Sequence, residues 1–229
     1  MERSKQCKIK EFISEEQIYN DLKRYRDAAL EEKGVTGATI LGRDDIFVDL
    51  RASLKCYIPK CWGYGRSASC PPHTLKPEET QKLVNCYHHA IFLKVDMTPE
   101  VVTGPVTKAI VTGEIDPEGR AAGISRSTIN VIKAVSKVEA LAFYEGYHLA
   151  MGFSAGTCRV TLCYKSKDCA VLKGERCRNI YLSRPSMEAV GFDVFRMATR
   201  VGWDVYPVGC NTNPDEITHG SVFGLVLVT

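Results

Sequence analysis

No C-x2-C pair occurs anywhere in these 229 residues, although the chain carries ten cysteines. That absence removes the paired ligands from which structural zinc sites are usually built. It also removes the thioredoxin-type redox motif and the compact bacterial ferredoxin run. The chain has no G-x-G-x-x-G turn and no phosphate-binding loop, so the common nucleotide fingerprints are missing. No apolar run approaches a bilayer-spanning length; the longest, Val222 to Val228, is strand-sized. Met1 to Cys7 is polar and lacks the apolar core of a secretion signal. A strong charge imbalance is absent too: the formal net charge of +3 gives no global case for a nucleic-acid partner. The expectation is a cytosolic protein with no membrane and no nucleic acid among its partners. Thiols stay reduced in that compartment, so clustered cysteines read as ligands or catalysts before they read as disulfides.

Seven of the cysteines fall into two groups. Cys56, Cys61 and Cys70 form C-x4-C-x8-C, running straight into Pro71-Pro72. Cys158, Cys163, Cys169 and Cys177 form C-x4-C-x5-C-x7-C, followed by Arg178. One metal centre needs three or four soft donors in a small volume, and short loops supply them without closing a large ring for each ligand. Loops this wide suit a bulky four-iron cubane better than a single small zinc ion, and proline directly after a ligand cysteine recurs in iron–sulfur loops. Arg159, Lys165, Lys167, Lys173, Arg176, Arg178 and Arg184 stand among residues 156–184 against only Asp168 and Glu175. A four-thiolate cluster is a net anion that such cations stabilise. Arg159, Arg178 and Arg184 are therefore the candidates for balancing its charge or docking a partner. The first group is one thiol short of a complete set. Its fourth ligand is Cys86, Cys7, Cys210, His73, or nothing from the protein, and Cys86 is the nearest thiol in sequence. A three-thiol site would leave one iron open to chemistry.

Hydrophobic periodicity places these loops in an α+β fold: a mixed sheet with packed helices and two cysteine-rich metal-binding loops at about 56–72 and 156–184, in one domain over 1–229. Ser14 to Gln17 is a capping box opening a helix closed by Gly34. Strands are expected at Thr36–Leu41 and Asp45–Leu50, a helix from Pro77 to about Tyr87, and a strand over His89–Met97. Residues 98–120 read as irregular. A long amphipathic helix runs from Ser125 or Ser127 to about Gly146, then a strand over Tyr147–Phe153. A helix over Ser186–Arg200 and strands over Trp203–Val208 and Ser221–Thr229 complete the pattern. Each cysteine group is expected on a loop leaving a strand. Gly152-Phe153-Ser154-Ala155-Gly156 matches the G-x-S-x-G nucleophile pattern, but a cysteine loop follows where a nucleophile elbow needs a helix.

Cys56-x4-Cys61-Trp62-Gly63-Tyr64-Gly65 running to Cys70-Pro71-Pro72, Gly156-Thr157-Cys158, Cys169, Cys177-Arg178, and Arg184-Pro185-Ser186-Met187-Glu188-Ala189 together carry a family resemblance. In these residues the chain resembles the predicted metal-binding proteins of domain-of-unknown-function family 2284, over roughly residues 50–205. The family pattern opens its second group with a tighter Cys-x2-Cys-x2-Cys run; here the same number of thiols is spread more widely. The resemblance implies iron–sulfur or other metal binding and no established reaction. The leading expectation is one or two [4Fe-4S] clusters in a protein of electron transfer, or of redox or sulfur chemistry on a protein partner or small molecule. The alternatives are a structural-zinc binding module and an enzyme with an open-iron site for desulfuration or reductive cofactor activation. No catalytic residue is assigned.

Overall fold

The computed structural model describes Ile9, residues 13–104 and residues 122–229. Helix α1 (Glu15–Leu30) opens where Ser14 accepts a hydrogen bond from the Gln17 amide, and it buries Leu22, Tyr25 and Ala29. Strand β1 (Gly37–Gly42) follows, then a short 3-10 turn at Arg43–Asp45, helix α2 (Leu50–Tyr57) and helix α3 (Pro77–Val84). Strand β2 (His89–Met97), helix α4 (Pro99–Val102), helix α5 (Ala122–Tyr144), strand β3 (Met151–Phe153), helix α6 (Val194–Arg200) and strand β4 (Gly220–Leu227) follow, with further short 3-10 turns between them.

The four strands form one sheet in the order β1-β2-β4-β3, and every ladder is antiparallel. The fold is α+β as expected, but the sheet is antiparallel throughout and not mixed. Alternation along β2 sorts its side chains to two cores. Ile91, Leu93 and Val95 join Leu22, Tyr25, Val131, Val135 and Val138 under α1 and α5. Ala90 and Phe92 face the other way, into a core with Met187, Phe192 and Met197. Both faces are covered, which explains why β2 and β4 read as nearly continuous apolar runs. Gly224 lets α5 lie this close: a Cβ there would stand 2.5 Å from Val135 Cγ2. Tyr25 and Arg24 of α1 both donate to Glu145, beyond the end of α5, and the buried Asp21 accepts from the Tyr147 hydroxyl at 2.9 Å.

Four local expectations are corrected. Residues 45–50 are not a strand: Asp49 accepts from the Arg51 amide at 2.8 Å and so starts α2. Tyr147–Phe153 shortens to the three residues of β3, because Gly146 (φ 110°) turns the chain first. Ser186–Arg200 is not one helix. A 3-10 turn at Glu188–Val190 ends at Gly191 (φ 98°), and α6 restarts where Asp193 accepts from Arg196. Trp203–Val208 forms no strand; Trp203 instead stacks on Phe92, with ring centres 5.1 Å apart. The expected irregular stretch contains α4, and its residues 105–120 lie outside the described residues, as does Cys7. Among the described residues no helix is long and apolar enough to cross a membrane.

Candidate metal centre

The first cysteine loop grows out of α2 and not out of a strand. Cys56 lies in the last turn of that helix, and the Cys61 amide reaches back to its carbonyl at 3.1 Å. Gly65 (φ 71°) then lets the chain reverse, with its amide donating to the Pro71 carbonyl at 2.8 Å. That clasp brings Cys70 back beside the start of the loop. The Ile58-Pro59 and Pro71-Pro72 peptide bonds are cis.

The second loop begins just past β3. Ser154, at the centre of the serine-hydrolase-like pattern, is buried and donates its hydroxyl to the Arg184 carbonyl at 3.2 Å, so it is a clip between strand and loop and not an exposed nucleophile. Thr157 caps a 3-10 turn at Cys158–Val160, and the Cys163 amide closes back on the Cys158 carbonyl at 2.8 Å. Cys158, Cys163, Cys169 and Cys177 all line one cavity of about 190 Å3, whose wall also includes Ser67 and Ser183. Among the described residues no three His, Cys, Asp or Glu converge tightly enough to hold a single metal ion.

The two cysteine groups, some 90 residues apart in sequence, meet in space. Ser67 Oγ and Cys158 Sγ are 3.1 Å apart, and Ser69 Oγ and Ser183 Oγ are 3.4 Å apart. Gly63 fits between them because it has no side chain: a Cβ there would lie 3.3 Å from Cys70 Sγ and 3.2 Å from Thr157 Cβ. Burial pushes the Cys70 thiol up to about 11, against hydrogen bonds from Thr157 and Ser67 and with the charges of Cys158 and Cys61 adding to it. Burial likewise pushes Cys56 up to about 12, with Cys61, Cys70 and Glu188 contributing further negative charge.

Hydrogen-bond donors ring the second group. Asn179 gives its side-chain amide to Cys163 Sγ at 3.1 Å and its backbone amide to Cys177 Sγ at 3.4 Å. Burial raises Cys158, opposed by hydrogen bonds from Ser67 and Ser183. Burial works against the Cys169 thiolate as well, but backbone amides of Ala68, Leu172 and Val171 and the charge of Arg159 outweigh it and hold that thiol below its ordinary value. Four thiols around one cavity, with N–H and O–H groups aimed at sulfur, are a donor set that could hold a thiolate-bound metal centre. The nine described cysteines carry no disulfide.

The three arginines singled out from sequence are all held by protein oxygens. Arg159 is buried and grips the carbonyls of Cys163 (3.1 Å), Ser166 (2.7 Å) and Lys167 (3.0 Å), fixing the path of the loop. Arg178 donates to the Asp168 carbonyl at 2.9 Å. Arg184 pairs with Glu139 of α5 at 2.6 Å and ties the end of the loop to the long helix. Cys86 lies just past α3, exposed, with its thiol toward the Lys82 carbonyl at 3.4 Å. His73 and Cys210 are exposed. Sequence reasoning missed Ser67, Thr157 and Asn179, whose only signal is a polar residue within a few positions of a cysteine. Glu188 stands four residues after Arg184, a spacing that suits a local ion pair, but Arg184 pairs with Glu139 instead. Glu188 is exposed; its carboxyl accepts a hydrogen bond from Ser186 and feels the charge of Lys55, while its own charge bears on Cys56.

A sequence model for one family, described as "Predicted metal-binding protein (DUF2284)", matches residues 39–228. No curated protein and no solved structure matches the chain.

Proposed function

The chain belongs to the predicted metal-binding protein family DUF2284, and from that premise we propose that it is an iron–sulfur protein that carries electrons to a protein partner or small molecule. The observation that carries this reading is the single cavity of about 190 Å3 with four thiols on its wall. A zinc ion draws its four sulfurs to about 2.3 Å from one point. A space of that volume exceeds several water molecules at about 30 Å3 each, which favours a polynuclear centre.

Cys158, Cys163, Cys169 and Cys177 would hold a [4Fe-4S] cluster, and Cys56, Cys61 and Cys70 would hold a second. For the fourth position of the first site, Cys86 is the nearest thiol in sequence, and Glu188 is a carboxylate whose charge reaches Cys56. When bound, such a cluster supplies reversible one-electron transfer. The chain's own residues set the conditions for it. Asn179 and the amides around Cys169 offset negative charge on sulfur, which raises the potential. Ser67 and Thr157 bridge the two thiol groups, so both sites share one rigid wall. Arg159 holds the loop through the carbonyls of Cys163, Ser166 and Lys167.

Protein purified without oxygen and titrated with dithionite is expected to bleach in the visible, giving a paramagnetic signal from two interacting clusters. A colourless protein that takes up no electrons contradicts the proposal and leaves a zinc-held binding module.

A further inference from the structure

Beside the four-thiol cavity lies a second concavity, of about 440 Å3, walled by Trp62, Arg66, Arg159, Lys167, Cys169 and Lys173. Arg159 and Cys169 line both spaces, so the larger one is a neighbour of the proposed cluster. Its volume falls in the range of about 300–1,000 Å3 in which proteins hold small molecules.

The charge in this cleft is one-sided. Arg66, Arg159, Lys167 and Lys173 face a single lining carboxylate, Asp168, and Lys173 already pairs with it at 2.6 Å. Arg159 is committed to backbone carbonyls. Arg66 and Lys167 are exposed and no ion pair holds either of them among the described residues, although the charge of Lys167 bears on the neighbouring Asp168. Arg66 is also held in place: its guanidinium carbon lies 4.6 Å from the centre of the Trp62 ring. An arginine fixed on an aromatic face presents its donor fork without first losing rotamer freedom, the geometry that suits an oxyanion.

We infer that this cleft binds a small substrate through a carboxylate or phosphate group, next to the four-thiol site. A concave space walled on several sides suits a small molecule better than the flat acidic face of a docking protein. Its role as a substrate site beside a redox centre rests on the function proposed above; binding in the cleft does not.

Titration calorimetry with inorganic phosphate, and separately with succinate, tests it on the full chain. One saturable site per chain is expected for at least one of the two, and which one binds distinguishes a phosphate site from a carboxylate site. Arg66→Ala and Lys167→Ala are each expected to weaken binding about tenfold, while Lys137→Ala on α5 leaves it unchanged. In coloured protein, saturation should also shift the visible or paramagnetic spectrum. No saturable binding of either anion overturns the inference, as does binding that survives both cleft variants. Binding of polyglutamate with both small anions silent overturns it too, by assigning the surface to an acidic protein. A colourless protein that binds phosphate in the cleft removes the cluster reading alone, and a brown protein that binds neither anion removes this one alone.

Discussion

Cys169→Ala protein, purified without oxygen, is expected to carry about half the iron and sulfide of the unaltered chain, because one of two four-iron centres is lost. Cys169 is the most informative of the seven thiols to remove. Its surroundings favour the thiolate, through three backbone amides and Arg159, and the thiolate is the form that binds metal. Those amides come from both loops, Ala68 from the first and Val171 and Leu172 from the second. Removing the sulfur therefore strips a ligand from the second site without deleting the scaffold between the sites. The first site is expected to keep its iron, and Cys56→Ala should give the reciprocal loss. Iron and sulfide measured per chain in both variants decide the matter. Full retention in Cys169→Ala would mean that the cavity of Cys158, Cys163, Cys169 and Cys177 is not where the metal sits.

Arg159→Met is expected to speed loss of metal to a chelator by about tenfold or more, equivalent to at least 1.4 kcal/mol in the barrier to opening. The buried guanidinium satisfies three carbonyls within the span from Cys163 to Lys167. Charge-assisted hydrogen bonds contribute about 1.5–3 kcal/mol each, and carbonyls left buried without a partner cost about as much. Methionine fills most of the volume and supplies no donor, so the loop should open while the sheet and both cores stay folded. Arg159→Lys should rescue only in part, because an ammonium group cannot span three carbonyls as a planar fork does. Hydrogen exchange confined to residues 158–170, with melting of the remainder unchanged, would locate the effect. Chelator resistance equal to the unaltered protein would show that the loop holds its shape without the arginine.

Elements with strong local signals were legible from the amino-acid pattern. β2 was read to the residue because its apolar run is bounded by a histidine pair and a proline turn, and α1 and α3 announce themselves by their caps. Elements whose limits are set by a partner elsewhere were not. Residues 186–190 bridge to Ser154 and end at Gly191 against Pro77, so a periodic stretch that looks helical is broken by tertiary contact. Trp203 alternates like a strand residue but spends its ring on Phe92 and Phe223. At the site, the cysteines themselves were plain, since clustering is a property of the sequence. Their meeting was not: it depends on Gly63 leaving room for Thr157 and on Ser67 reaching Cys158, 91 positions away. The arginines were legible as a group, but their protein partners were not, because nothing local marks Glu139 as the partner of Arg184. Arg66 and Trp62, which shape the basic cleft, lay inside a loop already noted for its cysteines.

Iron, acid-labile sulfide and zinc per chain, measured on protein purified without oxygen, test the central claim most directly. The prediction is a brown protein with iron and sulfide in equal amounts, at about four of each per cluster, and zinc well below one. Stoichiometric zinc in a colourless protein with no labile sulfide would contradict it.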